Sequence, residues 1–131
     1  ADELSKALNV EKQFIEDNAE TAVRVAAIKT FSKIIKMTPV NTGRARGNWF
    51  IGLNVGSELN ESKVSKGTSY VAKELPDTIM GKKTYLYNNL PYIEALEYGH
   101  STQAPAGMVR VSLLNWNRTL KKAFKGLKWH T

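Results

Sequence analysis

The distribution of apolar residues along the first 37 positions predicts one long helix. Residues 3–37 contain neither proline nor glycine and are rich in alanine, lysine, glutamate and leucine, which favour helix. At 100° per residue, a narrow apolar stripe is formed by Leu4, Leu8, Ile15, Ala19, Ala22 and Ala26, and the later apolar positions lie progressively further round, at Val23, Ala27, Phe31 and Ile34. Such a helix either bends round its own core or contacts a second molecule with its other face.

The alternating pattern that follows predicts a strand with one face on the core. Thr38-Pro39 ends the helix because proline lacks an N–H and restricts the residue before it, and Asn41-Thr42-Gly43 is a turn. From there Trp49, Ile51, Leu53 and Val55 would share the buried side of a strand. A second strand is predicted over residues 83–88, which include Tyr85, Leu86 and Tyr87.

The remaining segments predict a long loop and three further helical pieces. Residues 56–69 have little to bury and are expected to form an exposed, mobile loop. A helical turn is predicted over residues 70–76, and a short helix begins at Pro91 and ends at Gly99. From Gly107 onward one amphipathic helix is predicted, its apolar stripe being Val109, Leu113, Trp116, Leu120, Phe124 and Leu127.

These elements together predict a single α+β domain over residues 1–131. It has a long N-terminal helix, a small antiparallel sheet with a long loop, a short helix and an amphipathic C-terminal helix. A chain of 131 residues with 42% apolar residues can bury one core, and the absence of cysteine excludes disulfides and a thiol nucleophile. No apolar run approaches the roughly 20 residues that span a bilayer, so no membrane partner is expected.

Charge is unevenly divided along the chain, whose formal net charge is +7. Residues 1–20 carry −4, residues 21–50 carry +6 and residues 111–131 carry +5. An acidic segment followed by basic ones suits head-to-tail contact between copies or compensation within one copy, and a basic surface also suits phosphate.

No arrangement of residues predicts catalysis, a metal site or a cofactor. His100 and His130 lack the spacing of metal ligands, and the carboxylates of Glu94 and Glu97, three residues apart, are interpreted as a solvated surface. In Gly43-Arg44-Ala45-Arg46-Gly47, an extended backbone would place both guanidinium groups on one side. They could then bind carboxylates of a neighbour, phosphates, or an acid within the same chain.

Two motifs resemble a family of tailed-bacteriophage tail-completion or neck proteins, the group that includes lambda-type minor tail proteins. The segment from Thr38-Pro39 through Thr42-Gly43-Arg44 to Trp49 is similar to the family's "T-P-V-D-T-G-x-L-R-x-S-W". The segment Pro91-Tyr92-Ile93-Glu94-Ala95-Leu96-Glu97-Tyr98-Gly99-His100-Ser101 is similar to its "Y-A-x-x-L-E-x-G-T". Asn41 and Ala45 depart from the usual aspartate and leucine, and the segment before the last helix matches only in part.

The resemblance implies a structural virion protein without enzyme activity, assembled in the host cytoplasm and located at the head–tail junction. It would form a ring of about six or twelve copies between the connector and the tail-terminator or tail-tube proteins, through which genome DNA passes. Candidate contacts with neighbouring subunits or DNA are Arg44, Arg46, Lys121, Lys122 and Lys125. The alternative from the residues themselves is a small basic nucleic-acid-binding protein or a ribonuclease toxin.

Overall fold

A single long helix organises the molecule. The computed structural model describes residues 2–39, 45–60, 67–98 and 107–127. Helix α1 covers Asp2–Met37, a length of about 54 Å, and ends two residues before Pro39. The predicted long helix and its proline stop are therefore confirmed.

Shorter elements follow α1 and make the fold α+β, as the sequence predicts. A 3₁₀ turn at Arg46–Asn48 leads directly into strand β1, Trp49–Gly52, which is followed by helix α2, Tyr70–Glu74. Strand β2 covers Tyr85–Asn88 and the short helix α3 covers Ile93–Glu97. The chain then forms helices α4, Val109–Leu114, and α5, Trp116–Lys125.

The two strands pair antiparallel in one small sheet. Trp49 lies opposite Asn88 and Gly52 lies opposite Tyr85, so all four residues of each strand are paired. The strand was predicted to extend to Val55, but it ends at Gly52, opposite Tyr85, the first residue of β2. Leu53 and Val55 consequently lie outside the core, 48% and 60% exposed, and their predicted burial is wrong.

Three parts of the chain cover different faces of α1 and explain the drift of its apolar stripe. Ala22 and Ala26 pack against α5 around Ala123. Ala27 packs against Leu75 and Ile79, beyond α2. The end of α1 forms the largest cluster, made by Ile34, Ile35, Trp49, Val71 and Met108. The stripe does not begin at the first turn, because Leu4 is 65% exposed.

The predicted C-terminal helix is broken at Asn115. The backbone there adopts φ −99° and ψ 3°, and its N–H donates to the carbonyl of Ser112, three residues back, which closes α4 in a tight final turn. This break changes the phase of the apolar stripe, so Leu113 is 55% exposed although it was predicted to be buried. The stripe holds in α5, where Trp116, Leu120 and Phe124 pack toward Ala22 and Ala26.

Candidate functional site

The first motif, residues 38–49, forms a joint between the end of α1 and the start of the sheet. The Thr38 hydroxyl donates to the carbonyl of Ile34 at 2.7 Å and accepts from the indole Nε1 of Trp49 at 2.9 Å. Thr38, Pro39 and Trp49 are all buried. The hydroxyl thus satisfies a buried indole N–H and ties β1 to the last turn of the long helix.

Arg46 belongs to the same joint, and its predicted extended setting is wrong. It lies in the 3₁₀ turn, where its Nε donates to the carbonyl of Thr38 at 2.8 Å and its Nη2 donates to the carbonyl of Lys36. The carbonyl groups at a helix C-terminus lack helical partners and carry partial negative charge, which a guanidinium satisfies well. Arg46 therefore binds backbone carbonyls of its own chain. Arg44, Thr42 and Gly43 lie outside the described residues.

A buried asparagine adds a third connection to this joint. Asn48 is fully buried, and its side chain exchanges two hydrogen bonds with the backbone of Asn60, at 2.8 Å and 2.6 Å. The side chain of Asn60 donates in turn to the carbonyl of Gly47. The loop predicted to be mobile is thus anchored at Asn60, residues 57–59 before it are exposed, and residues 61–66 lie outside the described residues. No spacing pattern in the sequence indicates this pairing.

The second motif forms another joint, between α3 and α4, through Glu97. Its carboxylate accepts hydrogen bonds from three successive backbone N–H groups, those of Met108, Val109 and Arg110, at 2.8–3.0 Å. The Arg110 guanidinium also donates to this carboxylate at 3.0 Å and to the Glu97 carbonyl at 2.6 Å. Glu97 therefore caps the N-terminus of α4, and its interpretation as a solvated surface carboxylate is wrong.

The environment of Glu97 favours its ionised form. Burial raises the pKa of the Glu97 carboxyl, but the three backbone N–H donors and Arg110 outweigh burial, so its pKa lies below the ordinary value. Gly107, just before the cap, has a positive φ of 88°, and a Cβ there would lie 2.4 Å from the Glu97 carbonyl oxygen. This close approach requires glycine at position 107.

The other residues of the second motif position α3. Pro91 and Tyr92 form an exposed turn that precedes the helix, and Leu96 packs against the main core cluster. Gly99, the predicted end of the helix, lies outside the described residues. Glu94 is exposed on the same short helix, so only one of the two carboxylates has a structural partner in the described chain.

The lysines predicted as contacts lie on an exposed surface that joins α5 to α1. A groove of about 220 Å³ between the helices is lined by Lys29, Lys33 and Lys122 together with polar side chains of Thr30, Ser112, Asn115 and Thr119. A second depression shares Lys122 and is lined by Arg118, Lys121 and Lys125. We call this surface the cationic face, defined by Lys29, Lys33, Arg118, Lys121, Lys122 and Lys125.

The cationic face joins charges that lie far apart in the sequence. Lys29 and Lys33 are four residues apart, which places them on one side of α1, and this spacing was the available signal. Only the packing of Ala22 and Ala26 against Ala123 reveals that this side borders α5. The sequence therefore names Lys121, Lys122 and Lys125 as candidate contacts but does not indicate that Lys29 and Lys33 of α1 lie on the same surface.

The described residues lack a cluster of the side chains that usually hold a metal ion. They contain no group of three histidine, cysteine or acidic side chains arranged to hold an ion, and His100 and His130 lie outside them. Among the described helices, none has both the length and the apolar content needed to cross a bilayer.

Comparison with known proteins does not assign the chain to a family. No protein-family model, curated protein sequence or solved structure matches it.

Proposed function

We propose that the protein is a structural subunit of a tailed-bacteriophage neck, forming a ring at the head–tail junction through which genome DNA passes. The proposal starts from the two motifs, residues 38–49 and 91–101, which lie about 50 residues apart and resemble, with the order of elements, those of tail-completion proteins. Its neighbours would be the connector on one side and the tail-terminator or tail-tube proteins on the other.

The observation that carries the proposal is that side chains of both motifs connect elements of the fold. Arg46 and Trp49 of the first motif hold the sheet to the end of α1, and Glu97 of the second holds α4 to α3. Their polar groups are directed at backbone and side chains of the same domain. Motif residues that fix helices and strands relative to one another suit a subunit whose function is to present a defined shape to its neighbours.

Exposed leucines on α4 offer a surface for contact between copies. Leu113 and Leu114 are adjacent and are 55% and 84% exposed. A pair of bulky apolar side chains in solvent suits burial against a neighbour. Contact between this surface and a different surface of the next copy is heterologous and closes into a ring when the rotation permits it.

Assembly and location in the particle test the proposal. Sedimentation velocity and negative-stain microscopy of the full chain are expected to show closed rings at micromolar concentration. Replacing Leu113 and Leu114 together by serine is expected to yield folded monomers. The matched control replaces Leu53 and Val55, which are also exposed and apolar, by serine. It is expected to form rings like the wild type.

A second experiment examines the virion. Antibody labelling of purified particles of the source phage is expected to mark the head–tail junction, and deletion of the gene is expected to yield particles that leak DNA or lack tails. Absence of the protein from purified particles would contradict the proposal. So would cleavage of RNA by the purified chain, which would favour the toxin alternative.

A further inference from the structure

The side chains of the cationic face have no partner among the described residues, whereas the other described arginines of the fold do. Arg24 donates to the carbonyls of Pro76 and Ala72, Arg46 donates to the end of α1, and Arg110 pairs with Glu97. The six cations of the face form no ion pair with any described residue, and no described carboxylate lines either depression. Their charge is therefore left uncompensated within the described domain.

Helix electrostatics account for only part of this concentration of charge. Lys122 and Lys125 lie in the last turn of α5, where a cation interacts favourably with the helix dipole. Arg118 lies in the first turn of the same helix, where a cation is disfavoured, and Lys29 and Lys33 lie inside α1, away from its ends. Gathering these like charges on one surface raises the free energy of the isolated molecule unless an anionic partner binds there.

We infer that the cationic face binds the sugar–phosphate backbone of duplex DNA without reading its bases. Lysine presents a compact charge suited to phosphate. In the groove, the Asn115 side-chain amide gives one N–H to the carbonyl of Val111, and its second N–H can donate to a phosphate oxygen. Non-specific duplex binding rests on several cations that neutralise phosphates, and the face supplies six.

The composition of the face favours duplex DNA over the other anionic partners. Single-stranded nucleic acid is usually held by exposed aromatic side chains, but none of the described lining residues is aromatic, and Trp116 and Phe124 pack toward α1. Lysine is also depleted in protein–protein interfaces, which argues against the acidic segment of a second copy. The identification of this DNA as a genome in transit rests on the proposed function.

A charge-matched pair of variants tests the inference on the full chain. The face variant carries Lys29→Gln, Lys33→Gln and Lys122→Gln. The control variant removes the same charge from three exposed lysines that line neither depression, one in α2 and two just before β2, and consists of Lys73→Gln, Lys82→Gln and Lys83→Gln. Circular dichroism melting establishes that both variants are folded, and fluorescence anisotropy measures binding to labelled duplexes of two unrelated sequences.

The wild type is expected to bind both duplexes equally. Its affinity should fall linearly on logarithmic axes as salt rises from about 50 to 200 mM. The face variant should bind at least about tenfold more weakly at about 100 mM salt, with a salt slope smaller by about three, whereas the control variant should stay close to the wild type.

Three other outcomes overturn the inference. Equal weakening in both variants would mean that net charge alone acts, and strong preference for one duplex sequence would mean base reading. If the face variant keeps its affinity for DNA but loses self-association, the face is an interface between copies. Absence from the head–tail junction together with the expected binding pattern would overturn the proposed function and leave the DNA-binding face standing.

Discussion

The helix-capping role of Glu97 depends on its ionisation and therefore on pH. Glu97→Gln is expected to lower the free energy of unfolding by about 0.5–2 kcal/mol at neutral pH, because an ionised cap of three N–H groups is lost. The folded pKa of Glu97 lies below its unfolded value, so this contribution is present above the unfolded pKa and is lost as the pH falls through the folded pKa. Urea unfolding at pH 7 and at acid pH measures both effects.

The neighbouring carboxylate provides the control for this prediction. Glu94→Gln removes the same charge from an exposed position of the same helix and should change stability by less than about 0.5 kcal/mol. A Glu97→Gln variant as stable as the Glu94→Gln variant at neutral pH would show that the cap contributes nothing.

Arg46 is expected to matter for folding, unlike an exposed arginine. Arg46→Met should lower the free energy of unfolding by about 1.5–3 kcal/mol, because the carbonyls of Lys36 and Thr38 lose a charged donor. Arg118→Met changes an exposed, unpaired arginine and should cost less than about 0.5 kcal/mol. Chemical denaturation compares the two, and equal stability would contradict the assignment of Arg46 to the joint.

At the scale of elements, β1 ends before Leu53. The alternating pattern places Trp49 and Leu53 on the same side of the strand, but only Trp49 lies in the core. Trp49→Ala should cost about 3–5 kcal/mol, since it leaves a cavity in the main cluster and removes a hydrogen bond to Thr38. Leu53→Ala should cost less than about 0.5 kcal/mol because its side chain lies beyond the paired strand. Similar losses in the two variants, measured by urea unfolding, would mean that the strand continues past Gly52.

The contact between α1 and α5 depends on small side chains. Ala22 and Ala26 are completely buried beneath Ala123, so the helices approach closely at this point. Ala123→Leu is expected to destabilise the protein by about 1–3 kcal/mol through overpacking. Lys121→Met, at an exposed position of the same helix, should be tolerated in the same thermal melts. Unchanged stability of Ala123→Leu would show a loose interface.

At the scale of the whole molecule, net charge opposes the proposed assembly. Each copy contributes +7, and screening extends over about 10 Å at 0.1 M salt but only about 3 Å at 1 M. Raising salt, or adding duplex DNA at low salt, is therefore expected to increase the fraction of rings at fixed protein concentration. Sedimentation velocity measures this fraction. Rings that dissociate as salt rises would indicate that copies are held together by opposite charges.

The sequence by itself determined those features that local patterns dictate. The absence of proline and glycine through residue 37 defined α1, Pro39 defined its end, and alternation from Trp49 located the start of the sheet. The α+β class and the helical turns near residues 70 and 93 followed from the same local physics. The proposal of a neck protein likewise rests on the sequence motifs.

Tertiary structure decided which groups meet, because hydrogen bonding and packing partners lie far apart along the chain. Glu97 became a helix cap only when the chain beyond it returned to place three N–H groups at its carboxylate. Arg46 was directed to carbonyls by a 3₁₀ turn that the pattern did not predict. The cationic face exists because alanine packing brings α5 against α1, and no periodicity within either helix encodes that approach.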